Sequence, residues 1–183
     1  LSSSYALSAS YALSASHAPD QNLQSVLTAG NSASLGFTVT GSVAIDGSLV
    51  SGDNTNTVGI GFKALCANTT GANNTAVGTN SLDGNTTASD NTAFGKSSLG
   101  ANTTGASNTA IGKDALLTNT TGVQNTAVGQ GALDSNTTAS YNVAVGQASM
   151  EDNTTGANNA AVGVDALANN TTANNNTAVG YSA

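Results

Sequence analysis

Tryptophan and arginine are absent from this sequence, and proline, histidine and cysteine occur once each in 183 residues. Aromatic residues make up 4%, so a conventional globular core has little to fill it. Charged residues make up 7%, where an ordinary domain has about 25%. Three lysines stand against ten acids, for a net charge of −7. Nucleic acid and anionic membrane surfaces both call for a basic footprint, so neither is expected as a partner. No apolar run approaches the roughly 20 residues of a membrane span, and no membrane insertion is expected. No basic-then-apolar opening marks a secretory leader. A start in mid-pattern at Leu1 leads us to expect a piece of a longer chain. The lone Cys66 forms neither an internal disulfide nor a multi-cysteine metal site, and it reads as a small buried apolar residue. The lone His17 would have to serve any Ser-His-Asp arrangement. It fills a tyrosine slot two residues before Pro19 and reads as structural or exposed.

What is present is Asn, Thr, Gly, Ala and Val, arranged in three stretches. Residues 1–19 repeat a six-residue unit, in which Tyr5, Tyr11 and His17 are equivalent, as are Leu7 and Leu13. Six is a multiple of two and not of 3.6, so the unit predicts an extended segment with a Tyr/Leu stripe on one face. Residues 20–56 predict a connector. A short helix follows Asp20, with Leu23, Val26 and Leu27 on one face and Gly30 at its end. Short strands punctuated by Gly41 and Gly47 come next.

Residues 57–183 form an array with a period of 17 and no insertion. Glycine recurs at Gly61, Gly78, Gly95, Gly112, Gly129, Gly146, Gly163 and Gly180. Asn-Thr-Thr triplets begin at Asn68, Asn85, Asn102, Asn119, Asn136, Asn153 and Asn170. Leu65, Leu82, Leu99, Leu116, Leu133 and Leu167 keep the same interval, with Met150 in the remaining slot. Helical repeats usually need 30 or more residues, and Asn, Thr and Gly oppose helix. The period instead suits a parallel β-solenoid, or β-roll, that climbs one strand spacing of about 4.8 Å per coil.

In each coil the Thr-Ala-Val stretch predicts a strand ended by glycine, "AL" a second strand or bend, and Asn-Thr-Thr a third short segment. Val77, Phe94, Ile111, Val128, Val145, Val162 and Val179 are expected to stack inward with the leucine column. The glycines mark turns that a side chain would obstruct. Stacked coils place Asn above Asn, so the triplet asparagines form an amide ladder, and Asn74 and Asn85 read as rungs of two such ladders. A single inserted residue would break the register of every column. The apolar core of one chain is thin, and we expect a homo-oligomer, a trimer, with its long axis along the solenoid.

The motif "NTAVG" followed by "AL" resembles the "NSVAIG" repeats of trimeric autotransporter adhesin heads, which are left-handed parallel β-rolls of shorter period. The array from Thr57, with the segments Tyr5–Ser16 and Leu23–Asn31, is more similar to phage tail fibre and tail-spike-like proteins. These carry "NTAIG…AL…NTTG" arrays after "SYALSAS"-type and "LQSVLTAGN"-type segments. The resemblance implies a fibrous surface architecture on a virion. Such fibres often end in a self-cleaving chaperone protease, and no segment of that kind is visible in these residues.

Reactive groups are few. Asp83, Asp134 and Glu151 share one repeat position, and Asp114 and Asp165 another; they read as solvated turn residues. Lys63, Lys96 and Lys113 lie on nearby turns and read as weak surface pairs. Each triplet satisfies the Asn-x-Thr glycosylation signal but reads as ladder and turn. We therefore expect a structural fibre module, the shaft or head of a phage tail fibre that supports attachment to a host surface. No catalysis, cofactor or metal is expected. The expected partners are further copies of this chain, other virion tail proteins and a host cell-surface receptor. A bacterial surface adhesin head is the alternative. An ice-binding solenoid and a glycan-degrading tail spike rank below both. Ice binding ranks low because the triplet threonines are adjacent and would point opposite ways.

Overall fold

The structure is a computed structural model that describes residues 56–183. The six-residue repeat, the helix expected after Asp20, the glycine-punctuated strands and His17 lie outside the described residues.

The described residues form an all-β parallel solenoid of about seven turns. Eight three-residue strands carry it: β1 Val58–Ile60, β2 Thr75–Val77, β3 Thr92–Phe94, β4 Thr109–Ile111, β5 Thr126–Val128, β6 Val143–Val145, β7 Ala160–Val162 and β8 Thr177–Val179. They lie in one sheet in sequence order, each parallel to the next. The register offset is one repeat throughout: Ala76 faces Ala93, Ala93 faces Ala110 and Ala144 faces Ala161. Residues equivalent in sequence are therefore neighbours in space. Seven steps give a sheet about 34 Å along the axis, at about 4.8 Å per strand.

One side of each coil is a strand; the rest is turns. Two tight turns follow the corner glycine, closed by bonds such as Ser81 N to Gly78 O (3.3 Å) and Asn85 N to Leu82 O (3.2 Å). "AL" thus lies in turns, and among the described residues no second or third strand occurs in any coil. The reason is positive φ. Leu82 stands at 48°, Leu116 at 51° and Leu133 at 52°, where a strand cannot continue. Left-handed backbone costs a leucine about 1–2 kcal/mol. Swinging the side chain fully inside returns roughly 1.5–3 kcal/mol. Burial offsets the strain, so the column stays leucine or methionine. Leu82, Leu99, Leu116, Leu133 and Met150 are fully buried, and Leu65 and Leu167 in the terminal coils are partly so.

Two further positions per coil are left-handed. One is the third residue of the first turn, held by Asn80 (57°), Asp114 (59°) and Gly131 (67°), as a type II turn requires. The other precedes the strand and is held by Asn73, Asp90, Ser107, Gln124, Tyr141, Asn158 and Asn175. Both sit in solvent or half-exposed, and both favour small polar residues that tolerate αL. Tyr141 is the misfit, at φ 63° and with its ring exposed. Tyr141→Asn should stabilise the fold by about 0.5–1 kcal/mol, raising Tm by about 2 °C. A thermal melt followed by circular dichroism reads this, and an unchanged or lower Tm would refute it.

The strand faces reverse one expectation. Ala76, Ala93, Ala110, Ala127, Ala144 and Ala161 are fully buried, and the column expected to stack inward faces out. Phe94 is 55% exposed, Ile111 41%, Val162 42% and Val179 74%, while Val77, Val128 and Val145 are half-buried. The cause is volume. Each coil interior already holds a leucine or methionine and two asparagine side chains, which leaves a methyl's worth of room at the strand. Alternation along a three-residue strand then sends both flanking residues outward.

Candidate functional site

Two buried columns of asparagine hold the coils together. In the first, each amide of the triplet reaches the coil before it. Asn85 Nδ2 donates to Asn68 Oδ1 (2.8 Å), Asn102 to Asn85 (3.1 Å) and Asn119 to Asn102 (2.9 Å). Asn136 donates to Asn119 (2.8 Å), Asn153 to Asn136 (3.1 Å) and Asn170 to Asn153 (3.0 Å). The other amide hydrogen closes the local turn, as in Asn119 Nδ2 to Gly122 O (3.0 Å). The ladder is continuous from Asn68 to Asn170, and its rungs from Asn85 to Asn153 are fully buried. Asparagine alone among small residues offers two donors and an acceptor in one plane, which is what an unbroken stack needs.

The second column is Asn74, Asn91, Asn108, Asn125, Asn142 and Asn159, all buried and each immediately ahead of its strand. Here side chain and backbone alternate. Asn125 Oδ1 accepts from Asn142 N (3.0 Å), and Asn125 Nδ2 donates to Ala139 O (2.8 Å). Of these six, only Asn74 is singled out by the sequence pattern above. The signal for the rest is plain, since Asn precedes every strand from β2 onward at the same interval.

The glycosylation signals are closed off by the same geometry. The asparagine amides in the middle coils are buried and both their hydrogens are committed. The first threonine of each triplet from Thr69 to Thr154 bonds the next coil's backbone, as Thr103 Oγ1 does to Thr120 O (3.0 Å) and Thr120 Oγ1 to Thr137 O (3.0 Å). The second threonine is exposed at Thr87, Thr104 and Thr121.

The corner glycines are the closest approach between coils. Gly78 stands at φ 136° and Gly129 at 139°. A Cβ at Gly61 would lie 2.6 Å from the Gly78 carbonyl oxygen, and those at Gly78, Gly95, Gly112, Gly129, Gly146 and Gly163 would lie closer still to the next corner. At Gly180 such an atom would meet nothing nearer than Ala183 Cβ at 3.7 Å.

Titratable groups sit on the turns. Lys113 pairs with its neighbour Asp114, which together with the nearby charges of that turn raises the lysine pKa. Asp134 has one carboxylate oxygen buried without a hydrogen-bond partner. Burial first, then the charges of Asp114 and Glu151, push its carboxyl above the usual range. Cys66 is exposed, against the expectation of a buried thiol, because its slot lies just past the inward leucine and points away from the coil interior. Its Sγ bonds the Asp83 carboxylate at 2.6 Å, which raises its pKa. Among the described residues no three His, Cys, Asp or Glu side chains gather as a metal site would require. A hollow of about 400 Å³ opens at the last coil, lined by Asp165, Leu167, Asn170, Asn176 and Ala183 among others. It is the mouth of the coil interior, edged by the terminal members of the buried columns.

The sheet's outward face carries two uniform columns. Thr75, Thr92, Thr109, Thr126 and Thr177 stand in one column, with Val58, Val143 and Ala160 in its other slots; the valine-type column runs parallel to it on the same face, two residues further along each strand. No charged residue lies in either column. Comparisons of the chain with protein families, with curated proteins and with solved structures return no match.

Proposed function

We propose that this chain is a structural fibre module, a rigid section of a phage tail fibre that holds a host-attachment element away from the particle. The observation that carries it is the uninterrupted coil-to-coil register. Backbone bonds, two amide columns and a corner-glycine column all repeat at one interval over the described array. Each coil contacts its neighbours alone, so coil number sets length. Chemistry is spread thinly, consistent with a spacer that acts mechanically and carries no turnover of its own. The similarity of the "NTAVG…AL…NTTG" unit to tail fibre arrays supports the virion setting, with further copies of the chain, other tail proteins and a host receptor as partners.

The test is immunogold labelling with an antibody raised against the array. Labelling of thin fibres on purified phage particles is expected. Labelling confined to bacterial surfaces would move the assignment to an adhesin head. Absence from both would overturn the reading.

A second reading, ice binding, rests on the outward threonines. Adjacency in the triplets counts against it, but the strand threonines are spaced regularly, each with a valine-type neighbour on the same face. Thermal hysteresis of the purified chain separates the two readings: a spacer gives none.

A further inference from the structure

We propose that the outward face of the sheet is a self-association seam, and that its occupant is the same face of a second copy of this chain. The proposal rests on the fibre reading for the side-by-side, parallel arrangement of chains, and it names the surface that such a fibre would use.

Three observations favour a second copy over other occupants. The first is area. The outward side chains of the eight strands leave on the order of 1,000 Å² accessible, against about 800 Å² that each partner gives to a standard interface. Six of these side chains are large hydrophobics at least 41% exposed: Ile60, Phe94, Ile111, Val143, Val162 and Val179.

The second is charge. The chain carries −7 overall, and two copies would repel through any acidic surface. The acids Asp83, Asp90, Asp114, Asp134, Glu151, Asp152 and Asp165 all lie off this face, which carries no charge of either sign. It is where two such chains approach at least electrostatic cost.

The third is period. Both columns repeat at one strand spacing, so a parallel copy presents the same ripple at the same interval along the whole length. A partner of unrelated sequence has no reason to share that spacing. Phe94 is the one ring in its column, flanked by Val77 and Ile111. With two copies level, Phe94 meets Phe94 as a ring pair, and a shift by one coil loses that pair, so Phe94 fixes the height at which chains align.

The experiment uses the 183-residue chain. Its assembly is measured by size-exclusion chromatography with light scattering, beside a face variant, Ile111→Lys with Val145→Lys, and a control, Thr87→Lys with Thr121→Lys, on exposed turn positions. The expected masses are a multiple of 17.7 kDa for the native chain and the control, and 17.7 kDa for the face variant with an unchanged circular dichroism spectrum. A native assembly that survives the face substitutions overturns the seam and leaves the fibre reading standing. A native chain that is monomeric at about 100 µM, well above the Kd of a stable interface, overturns both. Because a face variant that unfolds would mimic dissociation, a further variant reads the seam directly: Phe94→Cys in a Cys66→Ser background. Oxidation should join chains through residue 94, and no crosslinking in an assembled sample would refute parallel, aligned packing.

Discussion

Replacing Gly129 with alanine should cost about 4–5 kcal/mol, enough to unfold the middle of the array at modest temperature. Two costs combine. The backbone at Gly129 stands at φ 139°, a region closed to side chains, which alone is worth about 1–3 kcal/mol. The new methyl would then fall within 3.0 Å of the Gly146 carbonyl in the next coil. Neither corner can retreat, because Gly129 N donates to Ile111 O and Gly146 N to Val128 O, each at 2.8 Å. Relief would require opening the coil spacing, and that breaks the amide ladder above it. Gly180→Ala is the control. It has the same φ, 138°, with no described coil beyond it, so it should cost only the backbone term, about 1–3 kcal/mol. Urea denaturation of both variants measures the difference. Equal losses would show that backbone conformation matters and close approach between coils does not.

The same corner shows why so much of the fold was legible. A period with no insertion fixes which residues stack, whatever the coil's shape, so the parallel sheet, the glycine column and the triplet ladder follow from spacing alone. What spacing does not carry is which way a column faces. Alternation separates Ala76 from Val77, and ordinary practice puts the larger residue inside. Residue size across coils points the other way. The position of Ala76 is alanine in every coil from β2 to β8, while its neighbour is Val, Phe or Ile. A slot that never varies in size is confined, and one that admits Phe94 is not. The turns were hidden for a different reason. Leucine has no taste for left-handed backbone, so nothing local in "AL" announces φ near 50°; the burial that enforces it is a property of the closed coil. Function was the least legible layer, because the sequence sets few reactive groups at any shared repeat position.

Asn119→Asp should be as damaging as the glycine change, and in a pH-dependent way. Asn119 donates to Asn102 Oδ1 (2.9 Å) and Gly122 O (3.0 Å) and accepts from Asn136 Nδ2 (2.8 Å). A carboxylate keeps only the last of these. It faces two acceptors at full burial, so about 3–5 kcal/mol should be lost at neutral pH. Burial lifts the new carboxyl's folded pKa above its unfolded value of about 3.9. The penalty is therefore smallest below the unfolded pKa, where a protonated acid restores one donor, and it grows as pH rises from the unfolded value toward the folded one. Asn119→Ala has no such dependence: at every pH it leaves Asn102 Oδ1 and one Asn136 amide hydrogen without a partner, while Gly122 O keeps its bond from Asn108 Nδ2, and it should cost a similar amount. Asn170→Asp, half-buried in the terminal coil, should lose far less because water can reach and solvate the charge. Denaturation of the three variants at pH 3 and pH 7 decides the point. If Asn119→Asp and Asn170→Asp lose the same stability, the stacked amides contribute nothing beyond their local turns, and the strict interval of the sequence would need another cause.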